Sequence, residues 1–523
     1  MRKIHAWLTI FIALSLLLLL GGPSWGAQKD LTYRIYQSGN YREIEVRTAL
    51  VSYVFSEEKG TLQSVFLTFS PYGSKSSELV PGTKTDPDDL ERQYVANTTF
   101  PFTLLVDGAE VDCVLSTPIQ AYEDEVIVEF KGEAGGIGFI KRFTIRNDPY
   151  YTVDMELVID NLDSKDSSST LHMILADHMP SKNTPDLVYL FDDAPAEALF
   201  APNSYASFDG LGLMDKQTVF FLQPVDSTEV VPFSERTPAG SQRFGVSLPL
   251  TQGITNYSFS LYGGRRRFLL MESAGLGKLD SPGTMARMMV PVIQFLNFLY
   301  RHTGNYAWAI ILFTVVTRVI LFPLMRKQYH SMAKMQKLQP KLKKIQARFK
   351  NDRQLLQRKM MQLYKQEGVN PMGGCLPMFV QLPILILLWK AILYSAEQIH
   401  LSPGFLWIPD LSLRDPYFIL VGITTLLMIL QQRMMAPMTA SSAGGSQKYM
   451  GYIFPIFMAI FLYSFPAGLW LYYLLTTLFQ VGQQYFVNWE MAKAKTITSM
   501  SAAPAEGILD DGETDDGEDQ SAD

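Results

Sequence analysis

With only two cysteines, Cys113 and Cys375, in 523 residues, the chain cannot build a disulfide framework or a thiolate metal site. Cysteine usage therefore leaves the redox compartment open. Histidine is scarce as well, at six residues. The pair His172 and His178 sits in a strand-like stretch, LHMILADHMP, and reads as ordinary packing. No acid and base pair of catalytic spacing stands out before residue 285, which argues against an enzyme. The apolar runs after Tyr306 carry an arginine but no aspartate or glutamate, since Glu397 and Glu490 fall at their ends. There is no internal repeat of the kind that secondary transporters show. Ala505 to Asp523 holds nine acids and no base, a composition that repels RNA and predicts disorder.

The charge that is present is segregated. A net charge of −6 conceals 21 basic and 36 acidic residues between Gln28 and Asp280, against 13 basic and one acidic between Arg326 and Lys365. Such asymmetry speaks of membrane topology. Arg2 and Lys3 precede an apolar stretch from Ile4 to Leu20, so residues 1–27 read as a signal-anchor span, with a cleaved signal peptide as the alternative. From 28 to 284 the pattern is period two or short and apolar, as in Glu43 to Val54 and Phe139 to Ile145. Gly60, Asn147-Asp148-Pro149 and Gly263-Gly264 punctuate it as turns. This predicts an antiparallel β-sandwich large enough for its own core.

Residues 285–303 place Met288, Met289, Val292, Ile293, Phe295, Leu296 and Leu299 broadly on one side, predicting an amphipathic helix along the outer membrane surface. Pro291 is assigned to its tolerant first turn. Apolar runs follow at about 306–325, 373–396, 416–434, 449–465 and 468–487, each near the ~20 residues a helix needs to cross a bilayer. With the N-terminal anchor they make six spans. Basic residues then place both termini in the cytoplasm and the acidic β-rich domain on the outer side.

Between 326 and 370, apolar residues recur at steps of three or four through Met332, Met335, Leu338, Leu342 and Ile345, then resume at Leu356, Met360 and Leu363. Two helices joined near Asn351-Asp352 would pack as a cytoplasmic hairpin. Lys334, Lys337, Lys341, Lys343, Lys344 and Arg348 cover its other faces and suit an anionic partner, lipid headgroups or ribosomal RNA. Without interleaved aromatics, no specific nucleic-acid sequence is read.

Arg318 lies within the run YAWAIILFTVVTRVILFPLM, roughly 12 Å from its basic end at ~1.5 Å per residue. A central arginine costs roughly 2.5 to 3.5 kcal/mol to insert, so it should face protein or water rather than lipid. Thr314 and Thr317 flank it. Thr476, Thr477, Gln480, Gln483 and Gln484 populate the cytoplasmic half of the last run, and Gln381 stands between Pro377 and Pro383. Together they could line a hydrated, positively charged groove in the inner leaflet. Tyr472 and Tyr473 sit about one turn into the last run, where belt and contact roles are both open.

GNYAWAIILFTVVTRVILFPL at Gly304 to Leu324, NPMGGCLPMFVQLPI at Asn370 to Ile384, LWIPDLSLRDPYFIL at Leu406 to Leu420 and FPAGLWLYY at Phe465 to Tyr473 resemble the YidC/Oxa/Alb family of membrane protein insertases. The β-rich segment and extra N-terminal span are similar to its Gram-negative form. The resemblance implies a five-helix insertase core in 304–490, a periplasmic β-super-sandwich and a cytoplasmic tail at 491–523. It implies insertion and folding of nascent inner-membrane proteins, alone or beside the Sec translocon, without cofactor or nucleotide hydrolysis. Arg318 and Thr314 match groove positions, Tyr472 and Tyr473 match substrate-contacting ones, and the basic hairpin matches a loop that recruits substrate. Because some members hold the ribosome through a basic tail, the acidic tail here weakens that expectation. The competing reading is a transporter of an anionic solute with Arg318 as counter-charge.

Overall fold

The computed structural model describes residues 31–501 apart from 72–74, 89, 97, 162–169, 179–184, 192–193, 198–207, 226–228, 238–239, 281–282, 369–375 and 436–445. The expected N-terminal anchor, the acidic run after Ala505 and Cys375 lie outside the described residues. The chain forms two compact units. One gathers the described residues up to Val315 with Leu382–Ile423 and Met458–Tyr473; the other gathers Val316–Gln381, Thr424–Phe457 and the chain from Leu474.

In the first unit, antiparallel strands form three large sheets. The widest contains Glu125–Ala134, Ile137–Arg146, Thr152–Asn161 and Gly253–Arg265 side by side. A second runs from Thr32–Ser38 to Ser77–Glu78, and a third includes Thr103–Val106, Leu171–His178 and Gln242–Leu248. Along Ile137–Arg146 every second side chain is buried, which puts Phe139, Phe143 and Ile145 in the core and charged residues outside. Val51–Ser56 and Thr61–Leu67 are buried at every position, hence on both faces. One hydrophobic core takes residues from all three sheets, among them Phe55, Phe143, Met173 and Phe244.

Lys141 is the charged exception on that strand: it keeps the alternation but occupies an inward position and is fully buried. Its ammonium donates to the Phe102 carbonyl at 2.8 Å and to the Lys59 carbonyl. Burial pushes its pKa down to about 8. His172 packs as expected: it stacks on Phe233 at 4.0 Å, with Nδ1 2.8 Å from the Ser247 hydroxyl.

Two expectations change. Gly263-Gly264 is no turn, since Gly253–Arg265 runs straight through it. A Cβ at Gly264 would stand 2.5 Å from the Tyr151 ring, so glycine serves close packing within the strand. After α1 (Phe268–Ser273), helix α2 spans Thr284–Thr303, which moves exposed Pro291 from the first turn into the second. The buried stripe of α2 is Met289, Ile293 and Leu296 at steps of four and three, while Met288 points outward.

Helix α3 runs without interruption from Tyr306 to Arg348, carrying Pro323 and Pro340 inside it. α4 (Arg353–Gln366) follows, capped by the Asp352 carboxylate accepting from the Leu355 amide at 2.9 Å. Leu338 and Leu342 of α3 pack with Tyr364 of α4 and with Met360 and Leu363. The later helices are α5 (Leu376–Tyr394), α6 (Ala396–Leu401), α7 (Ile419–Met435), α8 (Ser446–Leu462) and α9 (Ala467–Ser501). Among the described residues, Tyr306–Arg326 is the helical stretch long and apolar enough to cross a bilayer, and Gln381–Tyr394 and Ile419–Met434 are shorter apolar ones.

Candidate functional site in the helical region

The site starts from Arg318, which is 2 % exposed although it carries a full charge within an apolar run. Its Nη2 donates to Gln381 Oε1 of α5 at 2.6 Å and to Thr476 Oγ1 of α9 at 3.2 Å. Both acceptors are neutral. Nε and Nη1 are buried and meet no protein acceptor among the described residues. Local sequence explains why three helices deliver these groups: each segment is mostly apolar, and its few polar residues gain by turning inward from the apolar exterior.

The polar inclusion extends along α9. Thr476, Thr477 and Gln484 are buried, and Gln480 and Gln483 are half-buried. Gln431 of α7 donates from Nε2 to Gln480 Oε1 at 3.1 Å. Thr424, seven residues before Gln431 on the same face of α7, is fully buried with no partner for its hydroxyl among the described residues. The Oε1 atoms of Gln483 and Gln484 are likewise buried without protein partners there. Thr424 and Gln431 were not picked out by the sequence reading. The signal existed: they are the inward polar residues of an otherwise apolar run, seven apart on one helical face.

The remaining candidates divide. Thr317 is half-buried. Thr314 is fully buried and its hydroxyl donates to the Ile310 carbonyl of its own helix at 2.7 Å. Tyr472 has no exposed surface and lies 6.5 Å from the Phe313 ring, whereas Tyr473 is half-buried with its ring edge-on to Trp470 at 6.4 Å. On the helical pair of α3 and α4, Lys334, Lys341, Lys343, Lys344 and Arg348 are exposed, and the side chain of Lys337 lies outside the described residues. Lys341 pairs with Glu367 at 2.6 Å. Such an exposed pair contributes about 0 to 1 kcal/mol and leaves the surface strongly basic.

A large β-rich domain joined to apolar helices that enclose one cation among amides and hydroxyls defines a membrane protein with a polar inclusion in its helical region. Residues 298–494 match the family described as 60Kd inner membrane protein. The membrane protein insertase YidC of Geobacter sulfurreducens is 38% identical over 240 residues, covering 46% of this chain and 44% of that one. That of Wolinella succinogenes is 36% identical over 297 residues, covering 56% and 52%. The chain thus aligns with about half the length of these curated relatives. In fold, it is similar to the crystal structure of an active YidC insertase with its first transmembrane domain resolved. That likeness has a TM-score of 0.51 at 22% identity and covers 93% of this chain and 100% of that one.

Proposed function

We propose that this protein is a membrane protein insertase and chaperone that works without covalent chemistry. The observation that carries the reading is Arg318: a buried cation held by two neutral acceptors, with Nε and Nη1 meeting no protein acceptor among the described residues. An acid partner would have quenched its field. Neutral ligands leave a net positive charge and free donors inside an apolar region, where a polar or acidic peptide segment gains more than it would in water. The cost of carrying such a segment partway into the leaflet falls, and its apolar helix can move to lipid beside it.

In this reading Thr314, Thr317, Gln381, Gln480 and Gln483 line a groove open to the cytoplasm, and Tyr472 and Tyr473 meet the entering helix. Lys334, Lys337, Lys341, Lys343, Lys344 and Arg348 attract the substrate, the ribosome or anionic lipid. Six spans, both termini inside and a periplasmic β-domain follow from the charge distribution. The partners are nascent inner-membrane proteins and the Sec translocon. A transporter finds no support in the relatives described above.

Photocrosslinkers at Thr314, Tyr473 and Gln480 are the test, applied to ribosomes stalled on a single-span membrane protein. Adducts to the nascent chain at these positions, and none from exposed Ile453, are the expected result. A solute transporter would give none at any of them.

A further inference from the structure

Helix α6 is docked on the β-domain by a set of contacts that the groove does not use. Ala396 belongs to the hydrophobic core of that domain and Leu401 packs against it. The His400 ring lies 4.1 Å from that of Phe69. Between them, Glu397 has no exposed surface, yet it is a carboxylate. Arg267 Nη1 donates to Glu397 Oε2 at 2.7 Å, and the Tyr151 hydroxyl donates to Glu397 Oε1 at 3.1 Å. The same Arg267 nitrogen donates to the Leu393 carbonyl in the last turn of α5.

The receptor for Glu397 is built at some cost. Tyr151 holds a φ of +60°, a region where a bulky side chain is strained. Its carbonyl accepts from the Gly263 amide at 3.0 Å, and its ring fills the space that the missing Cβ of Gly264 leaves. The three consecutive arginines diverge: Arg265 donates to the Phe69 carbonyl at 2.8 Å, Arg266 to Asp280 at 3.2 Å, and only Arg267 turns to Glu397. A buried ion pair is a poor way to gain stability but a good way to specify one arrangement, because a misaligned pair leaves a charge unpaired.

We propose that Glu397 is a positioning residue that locks the β-domain onto the α5–α6 corner. The chain connection through α1 and α2 is then one attachment and the Arg267–Glu397–Tyr151 cluster a second, so the domain and this corner move as one body. The strained tyrosine, the close-packing glycine and the complete burial of the acid all serve that second attachment. The inference stands on these contacts alone and does not depend on the insertase reading.

The test uses the full chain in lipid nanodiscs with spin labels at Tyr122→Cys and Leu382→Cys, both exposed, in a Cys113→Ala, Cys375→Ser background. Hydrogen exchange in Ile137–Arg146 reports whether the β-domain stays folded. Glu397→Gln and Arg267→Gln should each broaden the interspin distance distribution at least twofold with that exchange unchanged. The reversed pair, Arg267→Glu with Glu397→Arg, should narrow it again relative to either reversal alone. An unchanged width in Glu397→Gln, or a reversed pair no narrower than the single reversals, would overturn the proposal.

Discussion

Arg318 and Gln381 meet at 2.6 Å, which joins a full charge on α3 to an amide on α5 that carries none. The pairing satisfies one nitrogen while leaving the charge in place. An aspartate or glutamate in the same position would have satisfied the arginine more completely and cancelled its charge.

If the charge itself matters, Arg318→Ala should reduce insertion of substrates with acidic translocated segments by about tenfold, equivalent to ~1.4 kcal/mol. Arg318→Lys should retain most of it, because the cation is kept while the planar guanidinium fork is lost. Complementation of insertase-depleted cells with both variants measures this. Equal activity of Ala and wild type on such substrates would remove the charge from the mechanism.

Gln381→Glu is the sharper probe. A carboxylate placed against Arg318 should lower insertion of the same substrates about as much as Arg318→Ala, whereas Gln381→Met should have a smaller effect. The two variants differ in charge but little in size. Similar activities would indicate that packing, and not the field, is what Gln381 controls.

The buried Lys141 gives the β-domain a distinctive pH response. Its pKa is about 8 in the folded chain against an ordinary 10.5, so the unfolded state binds more protons between those values and stability rises with pH there. The penalty of the buried charge is fully present below pH 8. From pH 7.5 to 9.5 the unfolding free energy should grow by about 2 kcal/mol, at ~1.4 kcal/mol per pH unit. Above that range buried Tyr151 and Tyr262 act in the opposite sense, since burial raises their pKa and exposure in the unfolded state releases their protons. Urea unfolding of the full chain, followed by circular dichroism, should show the rise, and Lys141→Met should abolish it.

Deleting Glu506 to Asp523 should leave insertion unchanged. A run of acids and no base repels RNA and phosphate headgroups alike. Insertion kinetics of the truncated chain in proteoliposomes decide the matter; a loss beyond about twofold would show that the tail takes part.

Much of the architecture is legible in the residues. Period-two runs such as Phe139 to Ile145 mark strands because a half-buried sheet must alternate, and Arg318 is marked by its expense in an apolar run. The failures are equally physical. Gly263-Gly264 carries the signature of a turn, but glycine also permits close approach within a strand, and only the Tyr151 ring distinguishes the two. Lys141 looks outward by charge and is buried by register with Phe130 and Leu157. Thr424 and Gln431 are modest polar interruptions whose meaning depends on which helix they face.

By itself the sequence determined where chain must be apolar, where it must be basic and which side chain is out of place, because hydrophobic periodicity and charge are local properties. Only the tertiary structure decided that, among the described residues, Arg318 is held by Gln381 and Thr476 and by no acid. It alone joined Arg267 to Glu397, 130 residues away. Partner choice in a low-dielectric interior depends on which atoms arrive together, and no local pattern records that.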